Sequence, residues 1–474
     1  MSDLAPSPPV VGVGLVGVGL VGVGFRPEIA ADLLAAPRTV DFVEVVAETC
    51  FASPAARREA AAIARIWPVV PHGVKLSLGS AAGIELDRAR RLGALCRELA
   101  APVVSEHVAF VRGGGREIGH LTALPYTLEA ARVVARNVAA ARRVLPDIPL
   151  LLENAAWTLR FPGDALDEGA FYAEIVARTG CDLLLDIGNV YANAVNAGVD
   201  PGELARSYPL ERVAMIHLAG GVREHGFYFD THAHPVPEPV FALLAAVLSR
   251  TGPVPVLLER DAAFPPFAAL AAEIATARAL AGAAPRHPTS DAARPAARAL
   301  PPGSSDPPGS SDPPAALALA QAHVAELLTA QRDPAPDAAR PFDPGEIARS
   351  RAILQRKRVD DALPLLPRLA CHREVVERLA ARCVEASPRA GRLTAVADAI
   401  RIAAAAEADA RLAPDASVDR LLLRARFVGP AADGSVRPRR LPFVRRERLP
   451  GGRVIWAVKG MGSSAEVRLV ETRR

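Results

Sequence analysis

The sequence predicts an α/β fold, a (β/α)8 TIM barrel, over residues 21–282. Eight short runs in this region are apolar at nearly every position, which is typical of parallel strands covered by helices on both faces. Each run stops where polar residues begin, and at least six of these stops carry His, Asp, Glu or Asn. The runs are residues 21–24, 42–46, 69–76, 103–107, 150–153, 183–186, 215–218 and 256–259.

Stretches with helical spacing, rich in Ala, Leu and Arg, lie between most of these runs. A strand followed by a helix, repeated about eight times, is the sequence form of a (β/α)8 barrel. The C-terminal ends of its strands meet at one mouth, so residues distant in sequence lie close together there. The clearest helical stretches are residues 54–67, 88–100, 127–144 and 168–179.

The length of 474 residues exceeds the usual size of one compact domain, so at least two domains are expected. Residues 283–316 are rich in Pro, Ala, Ser and Asp and contain PPGSSDPPGSSDPP, which is typical of a disordered or semi-stiff linker. We expect a Gly-rich apolar tail at 1–20, the barrel at 21–282, the linker at 283–316 and a mainly helical domain at 317–474.

The region after the linker is predicted to be helical at first and then to change character. Helical spacing covers residues 317–331, 344–358, 363–386 and 392–410. Residues 421–427, 453–458 and 465–470 mix apolar with polar or basic residues, which predicts a small basic β-unit. Residues 437–474 hold 11 Lys and Arg against 3 Glu, whereas the remainder carries 45 basic and 49 acidic residues.

The apolar N-terminal segment is predicted to be neither a signal peptide nor a membrane anchor. The stretch from Val10 to Phe25 is short and Gly-rich for a bilayer-spanning helix, and no basic residue precedes it. The five cysteines are odd in number and widely spaced, so a disulfide framework is not expected. Both observations favour a cytoplasmic protein without membrane association.

Imidazole and carboxylate groups are concentrated at the predicted strand ends. Seven of the ten histidines lie between His72 and His234, interleaved with carboxylates. These groups are the ligands that proteins use for Zn, Mn and non-heme Fe. The candidates are His72, Glu106, His107, Glu153, Asn154, Asp186, Asn189, His217, Asp230, His232 and Glu259.

The spacing of neighbouring candidates predicts their roles. Asp230 and His232 are two residues apart, which on extended backbone points both side chains toward one metal. Glu106 and His107 are adjacent and face opposite sides of a strand; we expect Glu106 to point inward and His107 to be structural. Residues expected to orient ligands or face substrate are Asn189, His107, His225 and His234; Asn154 is expected as a weak ligand or orienting group.

A single strand-end carboxylate is more often a helix cap or ion-pair partner than a metal ligand, by about two to one. The candidates as a set favour a metal, because buried carboxylates need a cation and the strand-end motifs contain only Lys75 and Arg260 as basic residues. No G-x-x-x-x-G-K pattern and no nucleophile elbow occur, so neither a P-loop nor Ser- or Cys-based catalysis is predicted.

The region between residues 21 and 281 carries ten motifs in order. They are GVGFRPE, VDFVEVVAET, PHGVKLSLGS, SEHVAF, LPYTLEAARVVARNV, LLENAAW, LLLDIGNVYANAVNAG, IHLAGG, DTHAHPVPEPV and LLERD. Together they resemble those of the multinuclear non-heme iron-dependent oxidases, the family of the methanobactin biosynthesis oxidase. The resemblance implies a TIM barrel that holds two or three iron ions; Mn or Zn are the alternatives that the residue types leave open. It also implies that O2 is used to oxidise cysteine or another side chain of a ribosomally made precursor peptide.

The resemblance also implies a ligand set, from which this chain departs at two positions. Ala197 and Gly221 stand where many members have His, so a one- or two-metal site is an alternative to three metals, with His225 as a candidate substitute. The implied ligands are His72, Glu106, Glu153, Asn154, Asp186, His217, Asp230, His232 and Glu259.

A partner protein or domain usually delivers the peptide in this family. Residues 317–474 weakly resemble helical extensions found in some members, and by position they would replace a separate partner. Their basic end would hold an acidic leader peptide, and a solvated face without a partner is the alternative.

Two other functions stay open from the sequence alone. A divalent-metal isomerase or hydrolase of the xylose-isomerase-like barrel type would use the same residue types with Mn, Mg or Zn. A degenerate barrel that has lost two histidines would instead serve as a peptide-binding or nucleic-acid-binding module, with nucleic acid the less expected partner.

Overall fold

A computed structural model describes residues 19–285, 315–329, 339–385, 393–431, 435–449, 453–462 and 466–472. The predicted tail at 1–20 and linker at 283–316 fall almost entirely outside these residues. Contacts divide the described chain into two compact units, with the boundary after Ala322 and with Arg116–Gly119 counted in the second unit. The four-part domain division stays a prediction.

The first unit contains a closed barrel of parallel strands, which confirms the predicted fold class. Each strand pairs with its neighbours in chain order, and the ring closes between the first strand and the last. The eight strands are β1 Val21–Gly24, β2 Phe42–Val46, β3 Val69–Gly73, β4 Val104–His107, β5 Leu150–Glu153, β6 Asp182–Asp186, β7 Val213–Leu218 and β8 Val256–Leu258.

Helices cover the outside of this ring because their apolar faces pack on the strands. Several begin at side chains that cap them: Thr127, Asp167 and Asp186 each accept a hydrogen bond from the amide three residues later. The helices are α1 Pro27–Ala35, α2 Ala47–Ala52, α3 Pro54–Ile63, α4 Leu86–Glu98, α5 Leu128–Arg142, α6 Glu168–Thr179, α7 Ile187–Ala197, α8 Pro201–Ser207, α9 Glu238–Thr251 and α10 Phe267–Ala283.

The barrel interior is filled by a layer of apolar side chains. Phe42 is the largest of them, and a Cβ at Gly22 would lie 2.6 Å from its ring. Glycine is therefore required in β1, since any larger residue there would collide with the barrel core. The other members of this layer are Val70, Val103, Leu151, Leu184, Met215 and Leu257.

Two hairpins interrupt the strand–helix alternation. One pairs Phe110–Gly113 with Arg116–Thr122, and the other pairs Val222–Glu224 with Phe227–Phe229. The second turns at His225 and Gly226, whose φ angles are 48° and 81°. This hairpin follows β7 directly and leads to Asp230 and His232.

The second unit is helical and ends in a small antiparallel sheet, and a short strand pair joins Phe427–Val428 to Arg437–Pro438. The sheet order is β9-β10-β11, with β9 Phe443–Arg448, β10 Val454–Lys459 and β11 Val467–Thr472. Helix α11 Ala315–Thr329 spans the boundary between the units. The remaining helices are α12 Pro344–Ala362, α13 Arg373–Glu385, α14 Thr394–Ala406 and α15 Ala413–Arg426.

The prediction of a strand at residues 421–427 was wrong. These residues form the last turns of α15, with only Phe427 beginning a short strand. Leu421 and Ala425 lie four residues apart on one helix face and pack against Ile455 and Ala457 of the sheet. The apolar run LLLRARF therefore follows helical rather than strand spacing.

Within the described residues, none of the helices combines the length and the apolar character needed to cross a bilayer.

Candidate metal centre

The mouth of the barrel brings together a histidine or a carboxylate from seven of the strands or their ends. Register places them level with one another, since His107 of β4 pairs with Glu153 of β5 and Asp186 of β6 pairs with His217 of β7. All seven side chains are buried. They are Glu44, His72, His107, Glu153, Asp186, His217 and Glu259.

The first group of potential ligands consists of His72, His107 and Glu153. The Nε2 atoms of His72 and His107 lie 3.5 and 3.4 Å from Glu153 Oε2. Nδ1 of His72 is 2.8 Å from the Ser105 hydroxyl, which leaves Nε2 to face the group. Burial lowers the pKa of His107 to about 4, so this imidazole is neutral at neutral pH, the form that binds metals.

The second group consists of Glu153, Asp186, His217 and Glu259. His217 Nδ1 lies 3.1 Å from Glu153 Oε1 and 3.2 Å from Glu259 Oε2. Burial raises the pKa of Glu153 to about 8, and burial followed by the nearby charge of Asp230 raises the pKa of Asp186 to about 6. Glu153 belongs to both groups, with one oxygen toward each.

The third group consists of His232, Glu259 and Asp261. His232 Nδ1 is 3.3 Å from Glu259 Oε2 and 3.6 Å from Asp261 Oδ2, and its Nε2 is 2.5 Å from Asp230 Oδ2. The expectation of extended backbone at Asp230-x-His232 was wrong. His232 has a φ of 51°, so the two side chains meet through a left-handed turn rather than through strand alternation.

The three groups contain more carboxyl groups than the neighbouring arginines pair with. Arg26 pairs with Asp261 at 2.5 Å and lies 3.6 Å from Glu259, whereas Arg260 turns away and pairs with Glu273 at 3.1 Å. Several buried polar atoms of the site have no hydrogen-bond partner among the described residues, and an unpaired buried polar atom is costly. They are Glu44 Oε1, Glu153 Oε2, Asp186 Oδ2, His217 Nδ1 and Asp230 Oδ1.

The first group includes His107 and not its neighbour Glu106, which the sequence analysis expected to point inward. The oxygens of Glu106 accept the amides of Leu76 and His107, both at 2.9 Å. Gly73 makes room for that carboxylate, since a Cβ there would lie 2.5 Å from Glu106 Oε2. Glu106 thus holds the loop after β3 rather than joining a metal-ligand group.

The two predicted asparagines bind backbone rather than facing the three groups. The Asn154 side chain exchanges two hydrogen bonds with the backbone of Asp186, at 2.9 and 2.8 Å. Asn189 donates to the carbonyl of Asn154 at 3.0 Å, and its own amide donates to Asp186 Oδ1 at 2.7 Å. Both therefore hold the end of β6, and with it the carboxylate of Asp186.

His225 and His234 lie outside the three groups. His225 is exposed at the tip of its hairpin, and His234 Nδ1 is 2.8 Å from the hydroxyl of Thr231. A side chain at Gly221 has no room, since its Cβ would lie 2.2 Å from the carbonyl oxygen of Phe229. The site is therefore built without imidazoles at positions 197 and 221, and His225 does not take their place.

The sequence reasoning missed Glu44, Asp261 and Arg26. Glu44 is fully buried, with Oε2 3.1 Å from His217 Nε2 and 3.9 Å from His72 Nδ1. Its signal was an acid in the middle of the apolar run FVEVV, where an ionisable residue requires a partner. Asp261 and Arg26 each follow a strand end, but nothing in the sequence alone joins them.

A parallel barrel with histidines and carboxylates gathered at the C-terminal mouth defines a class of metal-binding barrel enzymes. The family described as RiPP precursor modification enzyme MbnB/TglH/ChrH matches residues 20–282, and the chain belongs to this family. The resemblance inferred from the motifs is thereby confirmed.

Curated relatives carry the name UPF0276 protein. The chain is 44% identical to that of Caulobacter vibrioides over 241 residues, which cover 51% of this chain and 86% of the relative. It is 42% identical to that of Streptomyces avermitilis over 248 residues, which cover 51% of this chain but 50% of the relative. The chain thus spans only half the length of the Streptomyces protein.

The solved structures that match the chain are distant from it in sequence. Endonuclease IV from Thermus thermophilus is 20% identical, with a TM-score of 0.38 over 55% of this chain and 98% of that chain. A xylose isomerase domain protein from Planctomyces limnophilus is 17% identical, with a TM-score of 0.35 over 57% of this chain and 95% of that chain.

Proposed function

We propose that this chain is an iron-dependent oxidase that uses O2 to modify side chains, cysteine above all, of a ribosomally made precursor peptide. The observation that carries the proposal is the position of Glu153 between two ligand groups. One of its oxygens faces His72 and His107, and the other faces His217. A shared carboxylate favours two neighbouring metal ions, which together can exchange more electrons with O2 than one ion can.

The residues fit iron by their chemistry. Imidazole nitrogen and carboxylate oxygen without thiolate suit non-heme iron or manganese. The buried atoms Glu153 Oε2, Asp186 Oδ2 and His217 Nδ1 are potential ligand atoms without a hydrogen-bond partner among the described residues. Cations there would remove the cost of burying several carboxylates close together.

We assign the ligands by group, and this assignment differs from the one implied by the motifs. His107 enters the set in place of Glu106, and Asn154 leaves it. The first ion would be held by His72, His107 and Glu153, the second by Glu153, Asp186, His217 and Glu259, and a third by His232, Glu259 and Asp261. Asp230 would hold the ring of His232 through its other nitrogen, Nε2.

The chain's own residues would contribute in two ways, beside the bound iron. Iron would supply electrons for the reduction of O2 and open positions for O2 and a substrate thiolate. Burial of Asp186 and His217 keeps bulk water from the reacting groups. Glu153, whose pKa burial raises to about 8, would hold a proton in the metal-free protein and release it when a cation binds.

The test is the metal content of anaerobically purified protein, with Mössbauer spectroscopy to identify iron. We expect at least two irons per chain, and Glu153→Gln to lose most of them. Glu168→Gln is the matched control, because Glu168 is also a buried carboxylate but is hydrogen-bonded to Tyr208 and Asn193. Zinc or manganese alone in the native protein, or iron content unchanged in Glu153→Gln, would contradict the proposal.

A further inference from the structure

The sheet at the end of the chain leaves an apolar and cationic face exposed. Alternation places Val444 and Arg446 of β9, Trp456 and Val458 of β10, and Arg468 and Val470 of β11 on the same side, which we call the Val–Arg face. The opposite side, with Ile455, Ala457 and Leu469, packs on α15. One side of the sheet is therefore part of a core, and the other faces solvent.

The apolar residues of the Val–Arg face are neighbours across the strands. Val444 is directly opposite Val458, and Trp456 is directly opposite Val470. Their exposures are 63%, 40%, 37% and 50%. Leu441 and Met461, 68% and 74% exposed, precede β9 and follow β10 at one end of the sheet, where the Gly462 amide donates to the Arg440 carbonyl.

Such a concentration of exposed apolar side chains is unusual for this protein. Half of the twelve large exposed apolar residues in the described part of the chain lie between Leu441 and Val470. Exposed apolar side chains that form one contiguous patch mark a surface that binds a partner.

Charge indicates the chemistry of that partner. Arg446 lies opposite Trp456, with its guanidinium 5.9 Å from the ring centroid, and Arg468 lies opposite Val458. Glu466 is the acid beside Arg468, at 3.9 Å, and both side chains are 79% exposed. Arg446, Arg448 and Arg468 lie on this side of the sheet, and Glu466 is the acid beside them, so the face is net cationic.

We propose that the Val–Arg face binds an acidic, extended segment of the precursor peptide, with apolar side chains at alternate positions. This inference rests on the proposed function for the existence of a peptide substrate. Alternate side chains of an extended chain point the same way, so apolar residues would contact the valines while acidic residues reach the arginines. The face thus holds the substrate through a part that is not modified.

Two other occupants fit the face less well. Single-stranded nucleic acid binds through aromatic platforms, and this face offers Trp456 as its aromatic residue among three valines. A second copy of the chain in a two-fold contact would bring Arg446 and Arg468 against a second set of arginines, which repel one another.

The experiment is fluorescence anisotropy of the full-length protein with a labelled twelve-residue peptide of alternating Glu and Leu. Comparison probes are a Lys–Leu peptide, a Glu–Ser peptide and an oligothymidine of equal length. Arg446→Glu is the test variant. Arg445→Glu is its matched control, because Arg445 is the preceding residue of β9, is also exposed and lies on the other side of the sheet.

We expect the Glu–Leu peptide to bind most tightly, and Arg446→Glu and Trp456→Ala each to weaken binding about tenfold. Arg445→Glu should stay within about twofold. Trp456 also reports directly, because Trp67 and Trp157 are buried, so peptide binding should shift the tryptophan emission to shorter wavelength.

Equal weakening by Arg445→Glu and Arg446→Glu would overturn the proposal, as would tighter binding of oligothymidine. Self-association that Arg446→Glu abolishes in sedimentation experiments would assign the face to a second copy instead. Peptide binding should be the same for Glu153→Gln, which is directed at the metal centre. A protein that contains iron but does not bind the peptide would overturn this inference and leave the proposed function standing. A protein that binds the peptide but contains no iron would do the reverse.

Discussion

Replacing Glu153 by glutamine should have opposite effects on metal binding and on the stability of the metal-free protein. Burial raises the pKa of Glu153 from 4.5 to about 8, so the folded state binds its proton more tightly than the unfolded state. The metal-free protein therefore loses stability as the pH rises from 4.5 toward 8. Glutamine has the same shape as glutamate but carries no charge, so the variant should not lose this stability as the pH rises.

The size of the effect follows from the pKa difference. At about 1.36 kcal/mol per pKa unit, an ionised Glu153 costs the metal-free protein about 4 kcal/mol at pH 8. The substitution also disturbs the 3.1 Å contact with His217 Nδ1, which offsets about 1–3 kcal/mol. We expect the Glu153→Gln variant to be more stable by about 1–3 kcal/mol at pH 8, and by close to nothing near pH 4.5.

The assay is urea unfolding of chelator-treated protein at both pH values, followed by circular dichroism. Glu168→Gln serves as the comparison: burial also raises the pKa of Glu168, but hydrogen bonds from Tyr208 and Asn193 stabilise its charged form. Its replacement should therefore stabilise the protein at pH 8 less than Glu153→Gln does. A Glu153→Gln variant that is less stable at pH 8, or equally stabilised at both pH values, would refute the reasoning. The same Glu153→Gln variant should also lose most of its iron when it is purified without chelator.

Three further predictions concern residues around the metal centre. Glu44→Gln should weaken metal binding about 10- to 100-fold, because the Glu44 carboxyl group lies 3.1 Å from His217 Nε2 and holds that ring in place; unchanged affinity in chelator competition would exclude this role. Burial lowers the pKa of His107 from 6.5 to about 4, so the metal-free protein loses stability as the pH falls through this range, and His107→Gln should remove about 3 kcal/mol of that loss. If the stabilities of His107→Gln and of the native protein fell identically as the pH is lowered, this prediction would be contradicted. Gly221→His should destabilise the protein by about 1–3 kcal/mol and bind no additional metal, because its Cβ would collide with the backbone; an extra metal ion per chain would show otherwise.

The barrel could be predicted from the sequence because its physical cause is local. Strands buried on both faces must be apolar throughout, and the runs at 42–46 and 150–153 match β2 and β5 residue for residue. The prediction failed at residues 421–427, where the apolar side chains belong to a helix that packs on a sheet. Composition alone does not separate these two cases.

The sequence by itself determined the order of the strands and the kinds of side chain at their ends. Only the tertiary structure decided which of these side chains share a space. Glu106 and His107 illustrate the difference. The room left by Gly73 lets the Glu106 carboxylate bind the loop after β3, and His107 is the neighbour that joins a metal-ligand group. Glu44 illustrates it too, because its contact with His217 joins residues 173 positions apart. Local patterns record burial and residue type, whereas the distances between ligand atoms are fixed only when the ring of strands closes.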